Sequence, residues 1–353
     1  MMQLFIEPLD VWLFRDGRPF DARSDHRASS LFPPYPSVVQ GVIRSQHLVV
    51  KGIDLRDRDA IRAAVGDASD YGALRLRGPW LARCDDAGRC SRFFSLPADL
   101  VAHAESLVTL RPTRVPPERL SSARTEWLLV SPVPPQKKMP GEWLAEAELE
   151  KYLRGSAPTA TRSDELFVGE NRLGIGRDDS RRTTREGMLY EVEFVRLRPG
   201  AGLFVEVEGY DGWPEQGLLR IGGEGRAGLY RKLSLRPPWP VVPYPAPLPP
   251  RFKVYFATPA YFEHGWLPRD WQAFFTAPVT LATAAVNRYE SVGGFDWARN
   301  DHKPARRYVP AGSVYYFLNP AGAALRPDLV QSAITDAGAE IGFGQALISE
   351  WKE

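Results

Sequence analysis

The chain has 353 residues, 44% of them apolar and 25% charged, which is the composition of a globular protein long enough for two domains. Its 30 glycines and 32 prolines are too few for a disordered or low-complexity chain. The 45 basic residues nearly balance the 43 acidic ones, so the formal charge of +2 excludes a strongly basic protein that coats nucleic acid without specificity.

The N-terminal part of the chain predicts alternating strands and helices. Its first residues carry no basic segment, and two acidic residues interrupt the apolar stretch MMQLFIEPLDVWLF, which favours a cytoplasmic location. No apolar run approaches the roughly 18 residues that cross a membrane, so no membrane partner is expected. Apolar alternation and turn signals predict these elements: strand 3–14, helix 36–50, hairpin 72–83 with 92–96, helix 141–153, hairpin 189–197 with 203–208, helix 214–219 and strand 229–235.

A proline-rich segment, residues 236–250, divides the chain. Eight of its fifteen residues are proline, which fixes φ and removes amide donors, so an extended linker is expected. Beyond it the pattern predicts strand 251–259, helix 269–275, strands 279–287 and 313–318, helix 327–337 and strand 346–351.

Both parts follow a βαββαβ order, so the predicted fold class is α+β, with two tandem ferredoxin-like domains. We expect the first domain at residues 1–235, with a long insertion at about 97–186, and the second at residues 251–353.

A glycine-rich loop precedes the last predicted strand of each domain. The first loop contains Gly222, Gly223, Gly225 and Arg226, and the second contains Gly342, Gly344 and Gln345. Glycine permits positive φ and close approach of another backbone, so such loops often line polyanion sites, although tight turns without a ligand remain the alternative.

The basic residues are mostly arginine, 37 against eight lysines. Arginine suits bidentate phosphate contacts and stacking on bases, although a GC-rich genome also enriches it. Several arginines group in loops with hydroxyl and aromatic residues, a mixture that suits single-stranded RNA. These groups comprise Arg15 and Arg18, then Arg177, Arg181, Arg182 and Arg185, and finally the cations of residues 297–307.

Catalytic and metal-binding patterns are weak. Cys84 and Cys90 flank a short turn and are expected as two ordinary thiols, since no four-ligand zinc site accompanies them. The histidines form no HExxH pair, and phosphate-binding and nucleophile-elbow motifs are absent from the sequence. No metal or cofactor is therefore expected. His47 on the first helix is the remaining candidate for a general base in RNA cleavage.

The motifs PLDVWLFRDGRPF, FPPYPSVVQGVIRS, LGIGRDDSRRTTREGMLYEVEFVRL, GGEGR, ESVGGFDW and IGFGQALI follow one another along nearly the whole chain. In order and spacing they resemble the RAMP superfamily of CRISPR systems. They are most similar to the type III-B (Cmr complex) subunit that holds the 5′ handle of the guide RNA, and a type III-A paralogue is the nearest alternative.

The resemblance implies a subunit without catalytic activity that binds the crRNA 5′ handle and bridges the large polymerase/cyclase subunit to the RAMP backbone subunit. By position, it implies handle contacts from Arg15, Arg18, Ser37, Gln40, Arg44, the 177–185 arginines and both glycine loops. Two other functions stay open: a metal-independent endoribonuclease with His47 as its base, and a protein-only assembly subunit.

Overall fold

The computed structural model describes residues 1–15, 27–67, 70–116, 126–136, 139–178, 180, 183–234, 246–296 and 301–352. For residues 27, 176–178, 183–189 and 295–296 it describes the backbone alone.

Strands make up most of the regular structure in this part of the chain. The α-helices are α1 (Pro36–Val50), α2 (Arg58–Val65) and α3 (Glu146–Leu153). The strands before the proline-rich segment are β1 (Met2–Pro8), β2 (Arg27–Ala28), β3 (Arg75–Cys84), β4 (Cys90–Ser95), β5 (Leu100–His103), β6 (Ser106–Thr109), β7 (Arg111–Arg114), β8 (Trp127–Val130), β9 (Trp143–Ala145), β10 (Phe167–Asp178), β11 (Thr183–Leu197), β12 (Ala201–Glu208), β13 (Gln216–Arg220) and β14 (Ala227–Lys232). Those after it are β15 (Arg251–Phe256), β16 (Thr280–Ala285), β17 (Glu290–Asp296), β18 (Asp301–Tyr308), β19 (Val314–Leu318) and β20 (Ala346–Glu350).

Two sheets form the centre of the molecule. The first has the strand order β13-β14-β1-β12-β3-β4-β9, and the second has the order β16-β19-β15-β20. Four strands of each sheet share one spatial order. Numbered along the chain within each set of four, they lie in the order fourth, first, third, second, as β14-β1-β12-β3 in the first sheet and β20-β15-β19-β16 in the second. All these neighbours are antiparallel.

The two sheets face each other across a shared hydrophobic core. Phe5 and Phe204 of the first sheet lie in one cluster with Tyr255, Tyr316 and Leu347 of the second. Successive side chains of a strand point to opposite faces, so each sheet also has an outer core on the face that points away from the other sheet. The two parts of the chain therefore pack against each other, and most of the predicted linker between them, residues 236–245, lies outside the described residues.

Helix α1 covers the outer face of the first sheet. Val39, Ile43 and His47 are buried at a spacing of four residues, which places them on one side of the helix. Val39 and Ile43 pack with Leu4 and Ile6 of β1. The helix begins at Pro36 after the extended residue Tyr35, and its bounds are those predicted.

Loops cover the outer face of the second sheet, so both helices predicted there are wrong. The regions 269–275 and 327–337 contain only the short 3-10 turns Trp271–Ala273 and Val330–Ser332. Gln331 and Ser332 have φ values of 53° and 58°, which end any helix at that point. Phe274, Phe275 and Ile334 still bury their side chains in the core, so packing rather than helix formation orders these segments.

Strands β10 and β11 form a long antiparallel hairpin outside the two central sheets, and β2 pairs with β11. The predicted hairpin 189–197 with 203–208 is therefore wrong. Strand β12 instead lies between β1 and β3, where Ala201–Val207 are buried. A strand buried on both faces belongs in the middle of a sheet, and the turn at Pro199-Gly200 directs the chain there.

Three further predictions need correction at their boundaries or type. The predicted helix 214–219 is strand β13, which pairs with β14. The first strand ends at Pro8, after which Trp12 forms an isolated bridge to Val195. The insertion helix begins at Glu146 because Trp143–Ala145 pairs with β4.

Cys84 and Cys90 form a disulfide, so the expectation of two free thiols is wrong. They lie directly opposite each other at the turn of the β3–β4 hairpin, with 4.0 Å between their Cα atoms. The two strands form as predicted, and their register brings the sulfur atoms together.

No helix in the described ranges is long and apolar enough to cross a membrane.

Candidate nucleic-acid interface

The start of α1 brings Ser37, Gln40 and Arg44 together, and their contact with RNA stays a prediction. The Gln40 amide donates to the Ser37 carbonyl oxygen at 3.0 Å, and the Arg44 guanidinium donates to Gln40 Oε1 at 3.4 Å. Arg44 also donates to the Asp67 carbonyl oxygen at 2.9 Å and stacks 5.7 Å from the Tyr71 ring centre. Gln40 is buried, so it positions Arg44, which remains partly exposed.

The first glycine loop is the turn between β13 and β14. The Gly223 amide donates to the Leu13 carbonyl oxygen at 2.7 Å, and a Cβ on Gly222 would lie 2.9 Å from the same oxygen. Gly225 has a φ of 66° and open space around its Cα. The loop thus rests on residues 11–15 with one side and is open on the other. Such an open backbone of positive-φ residues suits an anion.

Arg15 lies beside this loop, two residues after the Leu13 carbonyl. It is exposed, and its backbone pairs with Ser30. The structure therefore brings Arg15 into the neighbourhood of the first glycine loop. Arg18 lies outside the described residues.

Arg226, at the end of the loop, belongs to a cluster that the sequence patterns did not indicate. Its guanidinium lies 4.6 Å from the Phe194 ring centre and 3.8 Å from Asp10 Oδ2. Asp10 accepts hydrogen bonds from Arg172 at 3.1 Å and Arg196 at 3.0 Å. These bonds hold the pKa of Asp10 below its usual range.

Glu170 completes the cluster by accepting from Arg172 and Arg196, which lowers the pKa of Glu170 as well. Three guanidiniums thus face two carboxylates, so the cluster keeps a net positive charge. The cluster depends on the β10–β11 register, which pairs Glu170 with Phe194. The hairpin predicted from the sequence does not contain this pairing.

The arginines of the 177–185 loop lie at the far end of the same hairpin. The backbones of Arg177 and Arg185 belong to β10 and β11, respectively, and their side chains are outside the description. Arg181 and Arg182 lie outside the described residues. RNA contact by these four arginines stays a prediction.

The second glycine loop has different surroundings from the first. Gly342, Gly344 and Gln345 are all buried, and Gly342 lies against the first half. A Cβ on Gly342 would lie 2.4 Å from the Gly78 carbonyl oxygen, and the Thr258 hydroxyl donates to the Gly342 carbonyl at 2.7 Å. Close packing accounts for this loop, so its contact with RNA stays a prediction.

A strip of aromatic and basic residues runs from α1 to the β17–β18 hairpin. Tyr71, Tyr261 and Tyr308 gather around one small apolar cluster. Arg306 stacks 5.1 Å from the Tyr261 ring centre, and Arg307 stacks 4.7 Å from that of Tyr289. Both arginines are exposed. This strip includes the described part of the predicted basic segment 297–307, and the fold adds the tyrosines.

His47 is buried within the first half. The Trp213 indole donates to His47 Nδ1 at 3.2 Å, and the Tyr210 ring stacks on the imidazole at 3.8 Å. Burial, reinforced by nearby Lys51, lowers the pKa of His47 below 6.5. This arrangement favours a neutral, structural imidazole, because the ring presents little surface to an RNA substrate.

Stability should consequently fall with pH below about 6.5, because the unfolded chain takes up a proton on His47 that the folded chain resists. Replacing His47 with glutamine should make the free energy of unfolding less steeply dependent on pH. Urea denaturation at pH 7.5 and 5.5 measures both slopes. Equal slopes for the two proteins would contradict this assignment.

Among the described residues, no group of three or more histidine, cysteine or acidic side chains has metal-binding geometry.

Comparison with known proteins identifies relatives over the whole chain. The model of a family described as "CRISPR-associated protein (Cas_Cmr3)" matches residues 4–351. No curated protein matches the sequence.

Solved structures resemble the fold along almost its full length. A chain in the cryo-EM structure of type III-B Cmr-beta bound to cognate target RNA has a TM-score of 0.55 and 14% identity, covering 98% of this chain and 96% of that one. A chain in the same kind of complex with AMPPnP has a TM-score of 0.54 and 14% identity, covering 99% of both. At this identity the likeness concerns the fold.

Proposed function

This chain belongs to the CRISPR-associated Cas_Cmr3 family of Cmr RAMP-type subunits, and we propose from that premise that it binds the 5′ handle of a guide RNA in a type III-B effector complex. The observation that carries the proposal is the open first glycine loop, which has Arg15 and the Arg226 cluster beside it. The family provides the CRISPR context, and the loop provides a surface suited to a phosphate backbone.

The aromatic and basic strip between α1 and the β17–β18 hairpin supports the same function. Arg44, Arg306 and Arg307 each lie near a tyrosine ring. Rings and guanidiniums of this kind stack on unpaired bases and contact phosphates, which is how proteins commonly bind single-stranded RNA.

The distribution of arginine supports a short RNA segment. Many surface arginines pair with acids of this chain, as Arg162 does with Asp164 and Arg326 with Asp328. Such pairs neutralise their own charge. A near-neutral protein with a few grouped cations fits a handle of several nucleotides better than a long strand.

Contacts with protein neighbours form the second part of the proposal. Leu173 and Ile175 alternate on β10 and are 73% and 54% exposed, although both are large and apolar. Leu218 and Leu229, which pair across β13 and β14, are also exposed. Apolar surface of this kind suits subunit contacts. We infer that these faces meet the large polymerase/cyclase subunit and the RAMP backbone subunit.

We also infer that the two central sheets are diverged copies of one ferredoxin-like unit. Their shared strand order supports this inference. The second copy has loops where such a unit has helices, and the first has α1 in the corresponding place after its first strand.

A non-catalytic role completes the proposal. Buried His47 supports it, since that residue carried the alternative of an endoribonuclease. Cleavage of handle-containing RNA by the purified chain, lost in a His47→Ala variant, would favour the alternative.

The double variant Arg306→Gln/Arg307→Gln should bind handle-containing RNA more weakly and with a flatter salt dependence. Each phosphate contact to a single strand contributes about 0.7 to the slope of log affinity against log salt, so two contacts change it by about 1.4. Fluorescence anisotropy with the full chain at several salt concentrations measures the slope.

Arg162→Gln/Arg326→Gln is the matched control, because it removes the same charge from residues that pair with acids of this chain. Its slope should equal that of the wild type. Replacing Arg181, Arg182 and Arg185 together tests the 177–185 loop in the same way, and an unchanged slope would remove that loop from the interface.

A further inference from the structure

A cavity of about 260 Å³ lies between the two halves, next to the start of α1. One side is the loop Leu31–Pro36, and another is formed by Pro79, Trp80 and Leu81 of β3. Residues Ala257–Pro259 and Glu290 of the second half close it. The cavity is distinct from the first glycine loop.

Its walls are flat, apolar and well supported. They include Phe32, Tyr35, Trp80, Phe94 and Trp143, together with several prolines. Trp80 and Phe94 are almost fully buried and pack at 6.2 Å between ring centres. Aromatic and proline walls fixed in this way suit a flat, unsaturated ring and lose little conformational freedom when one binds.

Glu290 is the one charged side chain among the described residues that line this cavity. It is partly buried, which raises its pKa, and the Tyr35 hydroxyl hydrogen-bonds to its carboxyl. A carboxylate can accept several hydrogen bonds, so acceptor capacity remains for a ligand. When ionised, Glu290 therefore favours a ligand that offers N–H or O–H donors.

Cations lie on the strand that pairs with Glu290. Glu290 begins β17 and pairs with Tyr308, which directly follows Arg306 and Arg307. A ligand with a ring in the cavity and a phosphate group outside would place each part against the chemistry that suits it. A nucleotide within a single strand of RNA has this shape.

The hydrogen-bonding pattern selects one base. Guanine offers two adjacent donors, N1–H and the N2 amino group, to an ionised carboxylate. Adenine, cytosine and uracil each place an acceptor beside their donor on that edge, and a carboxylate repels it. We propose that this cavity binds an unstacked guanine of the bound RNA, with Glu290 accepting from its Watson–Crick edge, an inference that rests on the proposed function.

The test compares guide RNA with guanosine in the 5′ handle with the same RNA bearing inosine at those positions. Inosine lacks the N2 amino group and leaves the backbone charge unchanged. The wild-type chain should bind the guanosine RNA about tenfold more tightly than the inosine RNA. Glu290→Gln should reduce that ratio to below about threefold, because its amide group repels one guanine donor.

Glu340→Gln serves as the matched control, since Glu340 lies near Tyr71 and is not among the lining residues. It should retain the wild-type ratio, and circular dichroism should show both variants folded. Equal binding of the two RNAs by the wild type, with salt-dependent affinity intact, would overturn the guanine site and leave the proposed function standing. Absence of binding to either RNA would overturn both.

Discussion

Replacement of Asp99 by alanine is expected to lower the free energy of unfolding by about 3–5 kcal/mol, the usual cost of removing one partner from a buried ion pair. Asp99 is fully buried. Its carboxylate accepts from the Tyr152 hydroxyl at 2.7 and 2.8 Å and from the Tyr316 hydroxyl, and it lies 3.5 Å from Lys253 Nζ. Alanine leaves all three partners without this acceptor.

The size of the effect follows from the position of these groups. Asp99 and Tyr152 belong to the predicted insertion, whereas Lys253 and Tyr316 belong to the second sheet. Burial lowers the pKa of Lys253 and raises that of Tyr152. The hydrogen-bond network therefore connects the insertion to the C-terminal half. Loss of the network also weakens the packing between the halves.

Urea denaturation of the full chain measures the change. Asp99→Asn should show a smaller loss, since its amide oxygen can still accept from a tyrosine although the charge opposite Lys253 is gone. Asp211→Ala is the surface control: Asp211 pairs with Lys51 at 2.7 Å but is 89% exposed, so little change in the free energy of unfolding is expected. A loss below 1 kcal/mol for Asp99→Ala would contradict the importance of the buried network.

Gly342→Ala should destabilise the protein by about 3 kcal/mol, through backbone strain together with overpacking. The φ of Gly342 is +101°, which L side chains rarely adopt. Its new methyl group would also lie 2.4 Å from the Gly78 carbonyl oxygen. Gly78 lies within β3, and the Gly342 carbonyl accepts from the buried Thr258 hydroxyl, so neither backbone can withdraw cheaply.

Gly225→Ala is the control from the first glycine loop. Its φ is +66°, but no atom lies within 4 Å of the added methyl group, so about 1 kcal/mol is expected. Thermal and urea denaturation of both variants give the comparison. Equal stability of the two would contradict the assignment of the second loop to packing between the halves.

Local sequence signals predicted the elements whose structure depends on their own residues. Proline and apolar spacing gave the bounds of α1, and alternation with a turn gave the β3–β4 hairpin. The C-terminal strands were found for the same reason. The prediction of helix 327–337 was wrong because the segment is a loop that buries its own apolar residues. Buried residues of a loop can have the same spacing as those of a helix.

Long-range pairing could not be read from these signals. The partner of β11 is β10, which precedes it, rather than the buried β12 that follows. The Arg226 cluster depends on that pairing, and its acids lie more than 50 residues from Arg226 along the chain. Glycine loops were recognised, but only the structure distinguishes the open Gly225 from the buried Gly342.

The central claim is recognition of the 5′ handle, and binding by the full chain to guide RNA with and without that handle tests it most directly. At 150 mM salt the handle-bearing RNA should bind at least tenfold more tightly, and its affinity should fall with salt at a shallow slope that reflects a few phosphate contacts. Equal affinity for both RNAs, or binding that does not respond to salt, would contradict the account.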